Sequence, residues 1–541
     1  MEKYNCDLLV VGGGLAGLVA AIEAAKLGQD VTLLSKCWTG RSGNTVISEA
    51  NFALGIAGDG SEDSPQLFSE DILRSGRGVN DPNLVQIFSK EAFEAVPLLE
   101  EYGIKLVHTD GKPAKKQPPG HSVPRFLSVK NVHYSYHLKG MNITDQLVKK
   151  AADYNVKILN NQCVIEILTE NNTVQGVLAL DKKTGKVACF LAKAIVLTAG
   201  GGGRIFKRTN NVRDITGDSY GLALSAGCKL RDMEFIQFYP TMSVWPIKIP
   251  VTNSLLSAGA FLQNADNERF MQRYDPRGDL ATRDVMSRAI FKEISEGRGV
   301  NGCVYLNFSE IPAETFTRDY SWLKNVFDKR GFNFKSDRLL IQPTTHFFCG
   351  GIAVNEKLQT NVEGLFAAGE AVGGLHGSNR LPGTALAEAL VFGKRAAVNS
   401  VNYSKNIEKR NKFQGRSFRP QARGGTIKLQ EISAQLRNIM WNNASILRDK
   451  KSLQKALQVV RECNLLLNKA GVCSPLEVVK YYETKNMCLA AQAIINSALF
   501  RQESRGSHFR EDYQNEREEY SGKNSVSFLD DSKSEIIVKM F

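Results

Sequence analysis

The sequence predicts an α/β fold: a parallel-sheet domain split by an inserted α+β domain and followed by a C-terminal helical domain. Three observations carry this reading. The chain opens with strand, glycine turn, helix and strand inside about thirty residues. Glycine-ended strands recur late in the chain, on both sides of a more polar and aromatic stretch from 231 to about 342. Apolar residues then keep helical spacing from 429 to 501.

Taken in order, residues 8–11 are continuously apolar, as a buried parallel strand requires. Gly12, Gly14 and Gly17 follow with the spacing G-x-G-x-x-G, then an Ala-rich helix over 15–26 and a second strand over 31–34. This is the context of a Rossmann-like dinucleotide fingerprint. Gly12 permits the tight turn, Gly14 lets a pyrophosphate approach the backbone, and Gly17 lets helix and strand pack closely. The helix N-terminus supplies free N–H groups and partial positive charge. Residues 37–60 are rich in Gly, Ser and Thr and read as a loop over a ligand. Residues 65–103 read as helical, and 107–140 as a long irregular stretch containing KKQPPGHSVPR. Loops of that length are uncommon unless functional. A helix is expected over 144–152, then strands over 157–168, 173–181 and 186–201, with turns at Asn171-Asn172 and Lys183-Thr184-Gly185. The last strand ends in Thr198-Ala199-Gly200-Gly201, a second strand-to-glycine junction. A short helix is read over 217–227. After the insertion, 365–368 form another buried strand that runs into a glycine loop and a helix. Residues 405–425 read as a basic, polar linker, the tail from 511 as charged, and 514–525 as a loop.

The totals exclude several classes. A chain of 541 residues holds more than one domain, and 43% hydrophobic content is that of an ordinary globular protein. Lys plus Arg number 69 against 56 Asp plus Glu, a net +13 that reads either as a solvated basic surface or as a funnel for anionic substrates. No basic run with interleaved aromatics marks a nucleic-acid binder. Residues 8–22 are apolar but too short to span a bilayer, and MEKYNCD lacks a basic n-region, so a cytoplasmic chain with no direct membrane span is expected. Ten cysteines without a C-x-x-C provide neither a zinc site nor an iron–sulfur cluster, and read as reduced thiols packed as small hydrophobes.

Ordered motifs run along nearly the whole chain: VGGGLAG, LLSK with NTV shortly after, TAGGGGRI, TNN, TGDSYGLALSAG, MEFIQFYPT, ATRDVMSRAI, THFFCGGIAVN, GLFAAGEAVGGLHGSNRL and ESRGSHFRED. Together they resemble the flavoprotein family of succinate dehydrogenase, fumarate reductase and L-aspartate oxidase. The resemblance implies FAD and a division into an FAD-binding domain (1–230), a capping domain (231–342), a completing FAD segment (343–404) and a C-terminal helical domain with tail (405–541). It implies cofactor contacts from Gly12, Gly14, Leu15, Ala16, Gly17, Ser35, Lys36, Ser42, Gly43, Asn44, Thr45, Val164, Thr198, Ala199, Gly200, Asn210, Asp218, Glu370, Arg380, Ala385 and Leu386. Ser35 stands where many dinucleotide folds carry an acidic ribose ligand, and Glu370 resembles the acidic residue near the ribityl chain. Asn44 stands where many members that pass electrons to a membrane quinone have a histidine bonded to the flavin. An amide cannot form that bond, so the FAD is expected to be noncovalent. The same loop reads Ser48-Glu49-Ala50-Asn51 where the family has Ala-Gln-Gly-Gly.

In the family, reduced flavin delivers hydride to one substrate carbon and a neighbouring carbon takes a proton. The resemblance makes Arg380 a carboxylate ligand, since guanidinium pairs bidentately with carboxylate. It makes His346 a hydrogen-bonding partner of that carboxylate, and Arg283 the proton donor, oriented by Asp284. Tyr239 replaces a substrate-binding histidine; it can donate one hydrogen bond but cannot become cationic. Thr252 is kept, while Asn253 and Leu256 replace an acidic shuttle residue and an arginine. The relay into Arg283 must therefore be rebuilt, and a substrate with one carboxylate and a larger or more apolar second end is expected. His121, Ser122 and Arg125 in the long loop are further substrate candidates. His108, His133 and His137 read as surface residues, and His376 and His508 either line the cleft or only pack it. Pro118 occupies the place of an amine-binding glutamate in L-aspartate oxidases, which argues against an amino acid substrate. Three readings result. The first is an FAD-dependent reductase or dehydrogenase acting on a carbon–carbon bond beside a carboxylate, partnered by an iron–sulfur or other electron-transfer subunit. The second is an L-aspartate oxidase. The third is an electron-transfer or binding protein that has lost dicarboxylate chemistry.

Overall fold

A computed structural model describes residues 1–541 apart from 57, 59, 133, 252, 253, 409–424, 426 and 531–534. Its centre is a seven-stranded sheet. Strand β1 (Glu2–Val11) lies between β2 (Val31–Ser35) and the strand Val187–Leu197, parallel to both. Lys157–Asn160 extends the sheet beyond β2, and Thr173–Asp181 and Gln162–Glu170 extend it antiparallel on the other side. The late strand Leu365–Ala367 joins Val187–Leu197 in parallel, so the sheet is completed from the far side of the insertion. The expected single strand over 157–168 is two strands. Asn161 takes a left-handed conformation, φ +62°, and turns the chain from the parallel part of the sheet into the antiparallel part. Asn is one of the few residues that tolerates this.

Helix α1 (Leu15–Lys26) covers the sheet and matches the expected bounds. A Cβ on Gly17 would lie 1.9 Å from the Gly12 carbonyl oxygen and 2.6 Å from Thr198 Oγ1. Gly12 has φ +120°, and a Cβ there would meet the Thr198 carbonyl oxygen at 2.4 Å. These contacts let α1 start directly over the ends of two parallel strands. The long helix Thr384–Ser404 packs across α1, with Gly393 against Ala16.

The insertion carries a second hydrophobic core, reaching from Ile249 to Ile341 and including Phe308, Phe316 and Phe327. It is built on an antiparallel sheet in the order Ile236–Trp245, Arg338–Phe348, Val304–Asn307, Phe261–Gln263. The paired strands Ile236–Trp245 and Arg338–Phe348 tie the two cores together, since Ile236, Phe238 and Phe348 belong to the main one. Residues 429–501 resolve into the helices Leu429–Ala444, Lys450–Leu467 and Pro475–Phe500. The last starts with Pro475 inside a capping box formed by Ser474 and Glu477. The tail is not only a charged loop. Ser525–Asp530 and Glu535–Met540 form a hairpin that pairs with Leu230–Arg231. Most of the expected linker, 409–424, lies outside the described residues. Among the described residues no helix is long and apolar enough to cross a membrane.

The glycines of the turn separate packing from binding. Gly17→Ala is expected to cost the apo-protein about 1–3 kcal/mol or more, because backbone has to move. Gly14→Ala meets only Thr45 Oγ1, at 3.5 Å, and should shift the melting temperature of the apo-protein little. Thermal unfolding of both cofactor-free variants checks the contrast.

Candidate active site

One cavity of about 1150 Å³ begins at the glycine turn and ends between the two sheets. That exceeds the roughly 300–1,000 Å³ of an ordinary small-ligand pocket and leaves room for a long cofactor together with a small substrate. Its wall takes in every expected cofactor residue except Gly17, which packs beneath the turn. It also includes Tyr239, Arg283, His346 and Arg380 at the far end. Thr252 and Asn253 lie outside the described residues.

At the turn, the space a Cβ would need at Gly14 is open save for Thr45, and the Leu15 N–H donates to Thr45 Oγ1 at 3.2 Å. A backbone free of side chains over a helix N-terminus suits a diphosphate. Lys36 lines the cavity, but its ammonium is held by Asp218 (2.6 Å), Glu483 (2.8 Å) and Thr216 Oγ1 (2.8 Å). Lys36 and Asp218, both expected at the cofactor, thus pair with each other and fasten β2 to the helix Asp218–Ser225. Asn44 donates to Glu370 Oε2 at 3.2 Å and accepts from the Val212 N–H at 3.3 Å, bridging two loops at mid-cavity. Burial pushes the Glu370 carboxyl up to about 7, against the opposing pull of Asn44 and the Phe348 N–H.

The far end is cationic. Arg380 is 7% exposed and donates to Gln237 Oε1 (2.9 Å), the Leu381 carbonyl (3.1 Å) and His346 Nε2 (3.2 Å), and lies over the Phe347 ring. Its Nε has no hydrogen-bond partner among the described residues. Burial, with Arg283 nearby, pulls its pKa down to about 10, so it stays charged at neutral pH. Burial and both arginines hold His346 well below the usual imidazole range. Its Nε2 must accept from Arg380, since a guanidinium only donates; its Nδ1 meets the Asn210 amide. His346 therefore braces Arg380. Arg283 opens the helix Arg283–Ser295 and sets its guanidinium 5.2 Å from the Tyr239 ring centre.

Several expectations are corrected. Tyr239 donates its hydroxyl hydrogen to the Val251 carbonyl at 2.8 Å, so it has none left for a substrate. Asp284 pairs with Arg288 at 3.0 Å, one helical turn on, and does not orient Arg283. The buried His121 and Arg125 and the exposed Ser122 form a knot that is not part of the cavity wall. Arg125 bonds Asp63 (2.6 Å) and Asp71, Ser122 bonds Asp71, and His121 bonds Arg125 and the Pro382 carbonyl. His376 is packed against Glu388, and His508 against Arg448 and the Arg501 carbonyl. His137 is exposed yet rims the cavity, and His133 lies outside the described residues. Leu256 is buried in the second core, while Met242, Ile247 and Ile249 line the cavity nearby. Sequence reasoning missed those three and Lys139, which reaches the cavity from the long irregular stretch; nothing in their spacing marks them.

Comparisons with known proteins place these features. A model described as an FAD binding domain matches residues 7–386, and one described as the fumarate reductase flavoprotein C-terminus matches 433–540. The chain is 34% identical to a fumarate reductase (CoM/CoB) subunit of Methanothermobacter marburgensis, over 96% of each chain. It is 32% identical to an L-aspartate oxidase of Saccharolobus solfataricus, over 94% of this chain and 96% of that one. Among solved structures, Mycobacterium smegmatis Sdh1 in complex with UQ1 superposes with a TM-score of 0.89 at 31% identity, covering 100% of this chain and 94% of the other.

The Glu370 carboxyl has a pH signature. In the folded apo-protein it keeps its proton to about 7, whereas its ordinary value is 4.5. The native state therefore binds more protons in that window, and stability falls as pH rises through it. Glu370→Gln should remove this fall: from about pH 5 to about pH 8 the wild-type apo-protein loses melting temperature relative to the variant.

Proposed function

This chain belongs to the succinate dehydrogenase, fumarate reductase and L-aspartate oxidase flavoprotein family and binds FAD, and we propose that it reduces a carbon–carbon double bond beside a carboxylate. The observation that carries this reading is a pair of guanidinium groups, Arg283 and Arg380, facing the cavity of the glycine turn with no carboxylate partner among the described residues. Bound FAD supplies two-electron hydride chemistry. Arg380 clamps the substrate carboxylate, held in place by Gln237, Leu381 and the neutral His346. Arg283 gives a proton to the carbon next to the one that receives hydride. The second end of the substrate lies toward Met242, Ile247 and Ile249, which supports one carboxylate and a larger or more apolar remainder. The Methanothermobacter relative is one subunit of a reductase, which supports a partner chain that exchanges electrons with the flavin, an iron–sulfur protein by our reading.

The FAD is held without a covalent bond, because Asn44 offers only an amide whose groups are engaged by Glu370 and Val212. Acid precipitation should release the yellow cofactor into the supernatant. Oxidation of L-aspartate is the second reading, favoured by the similarity to the Saccharolobus oxidase. Pro118 on the cavity wall counts against it, since proline offers an amine no hydrogen-bonding side chain.

One assay separates these readings. The FAD is reduced with dithionite without oxygen, and fumarate, other enoates or iminoaspartate are added. Rapid reoxidation by fumarate or another enoate is expected; reoxidation by iminoaspartate alone favours the oxidase, and by none of them an electron-transfer role. Arg283→Gln and Arg283→Lys should lower the enoate rate by about 10²-fold or more with FAD still bound. Full activity in either variant refutes the role of Arg283.

A further inference from the structure

Arg283 must be recharged after every turnover of the reaction proposed above, on which this inference rests. A guanidinium that has given up its proton is a strong base, and it needs an acid close by to restore it. Its chain neighbour cannot serve, because Asp284 is paired with Arg288 at 3.0 Å. Tyr239 cannot serve either: burial pushes its phenol up to about 12, and its hydrogen is donated to Val251.

The cavity wall carries four carboxylates among the described residues: Glu49, Asp214, Asp218 and Glu370. Asp218 is bound to Lys36 at 2.6 Å and to Asn486 at 3.1 Å. Glu370 is bound by Asn44 and the Phe348 N–H at mid-cavity. Asp214 adjoins Ile215, which lies against Gly200 at the glycine-turn end. Glu49 is placed differently. It is half-buried on the loop 48–51, and its charge acts on the Tyr239 phenol in opposition to that of Arg283. Arg283 sits 5.2 Å from the centre of that same ring, and Glu49 and Arg283 line the same cavity, so both charges act on one phenol. The hydrogen bond to Glu49 is a long one, 3.4 Å from Asn51 Nδ2, and Asn51 is itself fixed by Ser128 at 2.7 Å. The other charge facing Glu49 is Lys139, with Lys116 beyond it. A carboxylate with one weak partner, reaching both solvent and the cavity, is free to carry protons.

We propose that Glu49 is the relay acid that returns the proton to Arg283. As the substrate is reduced, an N–H bond of Arg283 breaks and a C–H bond forms on the carbon beside the one taking hydride from reduced FAD. The double bond becomes single and the FAD is left oxidised. The O–H bond of Glu49 then breaks, the N–H bond of Arg283 re-forms, and Glu49 takes its next proton from water. Glu49 positions a proton and does not touch the reacting carbons.

The test uses the dithionite-reduced holoprotein and whichever enoate reoxidises the wild type fastest. Glu49→Gln should lower kcat by about 10²-fold, with KM within about a factor of three. The wild-type rate should fall as pH rises, because the relay draws protons from solvent, whereas the Glu49→Gln rate should be low and nearly flat. Glu49→Asp should regain part of the rate and the slope. FAD content and the binding of succinate, read by flavin absorbance, should be unchanged in both variants. A Glu49→Gln enzyme with the wild-type kcat and pH slope overturns the relay. So does one that loses FAD or succinate binding while keeping that slope. A wild type reoxidised by no enoate overturns the proposed reaction itself, before Glu49 is in question.

Discussion

The arrangement turns on two guanidinium groups held in a cavity with no carboxylate bonded to either among the described residues. Removing a guanidinium from water costs several kcal/mol unless other groups replace its hydration. Around Arg380 those groups are neutral: the Gln237 amide, the Leu381 carbonyl, His346 Nε2 and the Phe347 face. They fix the orientation of the fork and leave it without a carboxylate partner among the described residues, and burial pulls its pKa down to about 10. In the proposed reaction an arriving carboxylate supplies that partner. Arg125 makes the contrast. It is more deeply buried, but Asp63 and Asp71 neutralise it, so its charge is used up in holding a loop. Burial alone does not mark a functional arginine; what sets Arg380 apart is that it faces the cavity with no carboxylate partner among the described residues.

Holding that end open requires the two sheets to share a strand pair. Ile236–Trp245 and Arg338–Phe348 are antiparallel neighbours, with Gln237 opposite Phe347 and Tyr239 opposite Thr344. Gln237 and Tyr239 are two residues apart and share a strand face. One reaches Arg380 and the other lies under Arg283. His346, on the partner strand, joins Arg380 to Asn210. The cation pair is thus assembled from a strand pair rooted in the main core, a helix of the insertion and the loop after the late strand. A shift of the insertion against the main sheet would separate Arg283 from Arg380.

Much of this was legible in the sequence where the signal is local. The glycine turn and α1 follow from spacing alone, because the steric demands at Gly12 and Gly17 fall on residues close in the chain or on a neighbouring parallel strand. Arg283, His346 and Arg380 were identified through motifs and do meet in one cavity. What failed depended on distant partners. Nothing in HSVPR says that Asp63 and Asp71 will capture Arg125. Asp284 is the exception, since its partner Arg288 is a local i,i+4 neighbour that the helical spacing of RDVMSR already offers. The strands of the tail hairpin do carry apolar residues, with Phe528 opposite Ile537 and Leu529 opposite Ile536, but surrounding charges mask the pattern. Its reason for folding is the edge strand Leu230–Arg231, far earlier in the chain, in the register Leu230↔Ser527.

The neutral state of His346 decides how the site treats acid. Desolvation and two nearby guanidinium groups deny the imidazole a proton, so of this pair the cation near neutral pH is Arg380. Arg380 does not titrate there, and Tyr239 keeps its proton to about 12. The imidazole, the phenol and the clamp are therefore all silent across the physiological range. The proposed reduction would then take its pH dependence from other groups, among them the wall carboxyls, which differ in their surroundings. Glu370 is locked between Asn44 and the Phe348 N–H beside the expected cofactor, where a change of charge alters the electrostatics of binding. Glu49 carries one long hydrogen bond among the described residues, from Asn51, which suits the relay proposed for it. Arg380 stays cationic in spite of its desolvation, the histidine is neutral because of its own, and in the proposed reaction proton traffic is left to a carboxylate.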